Sequence, residues 1–82
     1  TIIRTQLRVM SMHRELQRYL NAGQLVEIIY IDRRGQTSKR TLRLHAITGN
    51  RVKAYCFTRQ AKRVFTIANI LAVQPVVTRH AV

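Results

Sequence analysis

From Leu25 onward the chain is a succession of short runs rich in β-branched and aromatic residues, separated by turn residues at close spacing. That pattern reads as antiparallel strands joined by tight turns. Leu25 to Asp32 (LVEIIYID) is the first strand, and Arg33-Arg34-Gly35-Gln36 its turn. Thr37 to Ile47 is a second, longer strand. Alternation places Leu42, Leu44 and Ala46 on one face of it and Thr41, Arg43 and His45 on the other. Thr48-Gly49-Asn50 turns the chain into a third strand, Arg51 to Arg59. A Gln60-Ala61 loop leads to a fourth, Lys62 to Ile67. Ala68-Asn69-Ile70 reads as one turn of 3₁₀ helix, and Leu71 to Val77 as a fifth strand. Pro75 lacks a ladder donor, so this last strand is an edge or carries a bulge. Thr78 to Val82 is expected to fray.

Ahead of the strands lies one helix. Ser11 reads as its N-cap, and Met12, Leu16, Tyr19 and Leu20 share one face at helical spacing. Asn21-Ala22-Gly23 ends it, with Gly23 suited to the left-handed cap. Residues 1–10 fit both alternations and are read as an extended arm. At 82 residues the chain is too short for two domains. The expectation is therefore one mainly β domain: arm 1–10, helix 11–22, and a small five-stranded, strongly bent barrel over 25–77. The barrel would hide most strand edges.

Charge narrows the function. Fifteen Lys and Arg oppose three carboxylates, Glu15, Glu27 and Asp32, for a formal net charge of +12. Such an excess suits a polyanion: DNA, RNA, a nucleotide or an anionic lipid surface. The plainer reading is an acidic protein partner or simple solubility. Twelve of the cations are Arg, whose planar fork matches phosphate oxygens. Three carboxylates make acid–base or metal catalysis hard to build, so no enzyme, no metal and no cofactor is expected. His13, His45 and His80 have no ligand-like spacing. Cys56, alone, forms no disulfide framework and reads as a small buried hydrophobe. Asp32 reads as a turn residue bonding local backbone, and Glu27 as the partner of an arginine. No apolar run is long enough to span a bilayer and no signal peptide is visible. A cytoplasmic location without membrane association follows as the expectation.

The third strand carries the functional signal. Val52, Ala54, Cys56 and Thr58 share a small, mostly apolar face suited to a tight barrel interior. The other face reads Arg51, Lys53, Tyr55, Phe57 and Arg59, cation and aromatic interleaved, with Arg63, Phe65 and Ile67 alternating on the fourth strand. Aromatic rings can stack bases while Arg and Lys hold phosphates. Tyr55, Phe57 and Phe65 are the stacking candidates, and their plainer role is packing under the helix.

Residues 27–73 resemble the WYL domain, an Sm-like or SH3-like β-barrel of bacterial transcription regulators and defence-associated proteins. The resemblance rests on IIYID (28–32) with its glycine turn, KRTLRL (39–44), AYC (54–56), RVF (63–65) and IANILAV (67–73), in that order and at that spacing. The slot of the naming tripeptide falls on Asn50-Arg51-Val52, which keeps only the aliphatic position. Asn69 stands where a basic residue usually precedes Ile70. The family-type binding positions retained are Arg40, Tyr55 and Arg63. The resemblance implies binding of nucleic acid or nucleotide-like effectors, usually beside a helix-turn-helix, for which residues 1–24 offer only one good helix. The combined expectation is a non-enzymatic regulatory module. Its anion-binding residues would be Arg40, Arg51, Lys53, Tyr55, Arg59 and Arg63. Its partner would be single-stranded nucleic acid by preference, or a nucleotide-like effector. The alternative is a protein-interaction or oligomerisation module, a homodimer included.

Overall fold

In the computed structural model the backbone is described for residues 2–77 and the side chains for residues 11–77. Helix α1 runs Ile2–Ala22, followed by β1 (Leu25–Ile31), β2 (Thr37–Thr48), β3 (Arg51–Cys56), β4 (Ala61–Thr66), a 3₁₀ turn (Ile67–Asn69) and β5 (Ile70–Pro75). The frayed end expected over 78–82 lies outside the described residues, as does His80.

The helix corrects the expectation for its first half. Residues 2–10 are helical rather than an extended arm, and Ser11 sits in mid-helix rather than at a cap. No Pro or Gly interrupts the chain before Gly23, so a helix nucleated further along propagates back through residues that also fit its period. At the other end Gly23 adopts φ +64°. Its N–H donates to the Leu20 carbonyl at 3.1 Å, and that of Gln24 to the Tyr19 carbonyl at 3.0 Å. This paired closure satisfies two carbonyls the helix would otherwise leave open.

The strands form one antiparallel sheet in the order β4-β3-β2-β1-β5. Among the described residues no pairing of β4 with β5 closes it into the expected barrel; both remain ends of the ladder. Pro75 accordingly lies on an edge strand. The sheet is nonetheless strongly bent. Neighbouring strands lie about 4.8 Å apart, so β4 and β1, three steps apart, would be about 14 Å apart in a flat sheet. Yet the rings of Phe65 on β4 and Tyr30 on β1 meet edge to face at 5.0 Å. The Thr66 N–H also donates to the Tyr30 hydroxyl at 3.2 Å.

Within the bend lies the core: Val26 and Ile28 of β1, Leu42 and Leu44 of β2, Val52, Ala54 and Cys56 of β3, Phe65, Ile67 and Ile70. The inward set on β3 is the one its alternation predicts. Met12 and Leu16 of α1 complete the core, with Tyr19 and Leu20 packed partly buried beside them. The helix lies against β2, the 3₁₀ turn and β5. Gln24 ties its exit to the sheet, its side-chain amide donating to the carbonyls of Leu25 and Val76.

Three local expectations change. Leu44 pairs Ala54 and Ala46 pairs Lys53, so a bulge at His45 shifts the β2 phase. Ile47 then turns toward the core in place of Ala46. β3 ends at Cys56, and Phe57–Gln60 form a four-residue turn with Gln60 at φ +53°. Thr58 thus leaves the interior set, and its hydroxyl accepts the Thr41 N–H. Finally, Glu27 accepts from the Gln74 amide at 2.8 Å and, among the described residues, pairs with no arginine. Asp32 behaves as its turn role implies, one carboxylate oxygen accepting the N–H groups of Arg34 and Gln36. No helix among the described residues is long and apolar enough to cross a membrane.

Candidate nucleic-acid interface

Residues directly opposite in an antiparallel pair project to the same side of a sheet. Because Val52, Ala54 and Cys56 face the core, Arg51, Lys53 and Tyr55 face outward. Their partners on β4 are Thr66, Val64 and Lys62, and on β2 they are Thr48, Ala46 and Arg43. Tyr55 is therefore flanked by Arg43 on one side and Lys62 on the other. Phe57, just past the end of β3, meets Tyr55 edge to face at 5.0 Å and 73°. It is 43% exposed. Arg51, Lys53, Arg43 and Lys62 are all exposed.

The expected site residues divide between two surfaces. Arg51, Lys53 and Tyr55 lie on the outward face, with Phe57 and Arg59 in the turn beyond it. Arg63 pairs Ala54 and so belongs to the core-facing set of the edge strand β4, with its side chain exposed. Arg40 pairs Ile28 and shares that side. Its guanidinium lies over the Phe65 ring at 6.0 Å, and its Nε donates to the Ser38 hydroxyl. Phe65 is only 3% exposed and packs between Tyr30 and Arg40. It takes the packing role and offers no face to a base.

Arg43 and Lys62 flank the aromatic pair without having been singled out from the sequence. The signal was available: across a turn of even length, odd residues of β3 meet even residues of β4. Lys62, not Arg63, is thus the neighbour of Tyr55.

An open depression of about 500 Å³ lies where β2, β3 and β4 meet, lined by His45, Lys53, Ala54, Lys62, Arg63 and Val64. Its lining has cations and one imidazole but no carboxylate. The acidic residues lie elsewhere: Glu15 on α1, Glu27 on β1 and Asp32 in the β1–β2 turn. Among the described residues no group of His, Cys, Asp and Glu is assembled to hold a metal ion. Cys56 is fully buried. The chemistry on offer is charge, hydrogen-bond donation and ring stacking.

No family model matches the sequence, and no curated protein matches it. Among solved structures, Proteasome accessory factor B/C (PafBC) of Arthrobacter aurescens superposes with a TM-score of 0.76 at 14% identity, over 82% of this chain and 11% of that one. The architecture is that of a segment of PafBC. At 14% identity the likeness is one of fold alone. The chain spans about a tenth of PafBC.

Proposed function

We propose that this chain is a non-enzymatic regulatory module that binds single-stranded nucleic acid or a nucleotide-like effector on the outward face of β2, β3 and β4. One observation carries the reading: Arg43 and Lys62 flank the half-buried Tyr55 beside the exposed Phe57, with Lys53 and Arg51 further along the same face of β3, on strands that bear no carboxylate. Uncompensated cations attract phosphate, and aromatic rings beside them stack bases. The regulatory setting rests on the resemblance of residues 27–73 to the WYL domain, and the likeness to PafBC adds agreement of fold alone. Arg40 and Arg63, on the other side of the sheet, would add a second cationic contact at the β4 edge.

The test is retention on an immobilised oligonucleotide as salt is raised. Binding through phosphates lowers log K by roughly 0.7 per contact for each tenfold rise in salt on a single strand. Loss of retention with that steepness supports the reading. If no oligonucleotide or nucleotide is held at low salt, binding of an acidic protein or self-association takes its place. An interface core for protein is usually poor in Lys and richer in large apolar residues than this face.

A further inference from the structure

The outward face of β3 is not uniform along its length, and the order of its parts limits what can lie on it. The register defines three rows across β2, β3 and β4. The first is Thr48–Arg51–Thr66, one cation between two hydroxyls. The second is Ala46–Lys53–Val64, one cation between small apolar side chains. The third is Arg43–Tyr55–Lys62, one ring between two cations. Successive rows are two residues apart, or about 7 Å, so the first and third lie about 14 Å apart.

Aromatic surface occurs at one end only. Tyr55 and Phe57 meet edge to face at 73°, a contact in which one ring's edge occupies the other's face. The pair thus leaves a platform for one base rather than a stack of two. Beyond the third row the strand ends in the turn. Beyond the first lies the Gly49-Asn50 turn. The uninterrupted outward surface of β3 is therefore three rows long.

Resting on the nucleic-acid reading above, we propose that this face takes a single strand of about three nucleotides, with one base stacked on Tyr55–Phe57 and its base identity unread. The phosphate next to the stacked base lies between Arg43 and Lys62. A further phosphate meets Lys53, with sugar against the exposed Val64. Arg51 with the Thr48 and Thr66 hydroxyls receives the phosphate at the far end. Hydroxyl and guanidinium donors at that row suit phosphate oxygens. Adenine is read by amide side chains and cytosine by carboxylates, and the three rows contain neither; the Arg and Lys groups that could read guanine are engaged by phosphate in this arrangement.

The experiment uses the intact chain and fluorescently labelled thymidine oligomers of one to eight nucleotides at low salt. Affinity should climb steeply to about three nucleotides, then rise only with the number of equivalent registers. A trimer retaining a single base should bind like the full trimer. A trimer of abasic units should bind roughly 5- to 150-fold more weakly, the range expected for losing one stacked base. Adenine, cytosine or thymine at the retained position should give affinities within about threefold. Tyr55→Ala should abolish the difference between the one-base and abasic trimers, with circular dichroism checking that the variant is folded. Phe57→Ala, in the exposed turn, provides the same readout should Tyr55→Ala unfold. Equal binding of a mononucleotide and a trimer overturns the footprint while leaving anion binding intact. So does affinity that climbs evenly to eight nucleotides. Absence of binding at every length overturns the underlying reading and the footprint together.

Discussion

Phe57 and Phe65 are both aromatic residues at odd positions of one hairpin, yet they end in opposite environments, 43% and 3% exposed. The four-residue turn separates them in phase, so that Phe65 meets Val52 inside while Phe57 remains with Tyr55 outside. Their substitutions should therefore read differently. Phe65→Ala should cost roughly 3–5 kcal/mol of stability through the cavity left under Tyr30, measured by chemical unfolding. Tyr55→Ala should leave unfolding largely intact. It should weaken oligonucleotide binding by roughly 1–3 kcal/mol with the salt slope unchanged, because stacking carries no counterion. An equally destabilised Tyr55 variant would move that ring into the core account. At Ala54, 1% exposed and paired to Leu44, Arg would bury an unpaired cation at a cost of several kcal/mol, comparable to the stability of a small domain. A native amide spectrum for Ala54→Arg would refute the β3 register.

At the scale of elements, the helix is joined to the sheet by two devices. One is the apolar face of Met12 and Leu16, which enters the core. Leu16, fully buried, should cost roughly 2–5 kcal/mol when cut to Ala. An unchanged thermal midpoint would mean that the helix is detached. The other device is the closure at Gly23, whose φ of +64° an Ala would adopt only at a cost of roughly 1–2 kcal/mol. The period of the helix face and the glycine that ends it were both legible in the sequence. The helix start was not, because residues 1–10 satisfy two periods at once and carry no breaker to choose between them. The bulge at His45 was likewise invisible. Nothing local in Leu44-His45-Ala46 marks it; it appears only when Ala54 and Lys53 are laid opposite.

At the scale of the molecule, a net charge of +12 will attract any polyanion, so a site must be separated from the field of the whole body. Arg14 and Arg18 on the helix serve as the control. If β2–β4 form the interface, Arg51→Ala and Lys62→Ala should each weaken oligonucleotide binding and make the salt slope shallower by about one contact, roughly 0.7. Arg14→Ala should do little. Equal losses from Arg14 and Arg51 in a salt titration would leave only diffuse attraction. All the acidic residues lie outside β2, β3 and β4, which gives that face its undiluted charge.

The sequence by itself determined the strand run, the turns at Gly35 and Gly49, the inward set Val52, Ala54 and Cys56, and the surplus of cations on β3. Each follows from local chemistry: alternation, turn residues and counts of charge. The tertiary structure decided which side chains share a surface. It paired Arg63 with Ala54 and Lys62 with Tyr55, and turned Ala46 outward past the bulge. By bringing Phe65 to Tyr30, it bent the sheet without closing its ladder. Those outcomes depend on the register between strands and on contacts between residues distant in the chain. Alternation defines two faces for each strand, but only packing against the neighbouring strands joins those faces into a site.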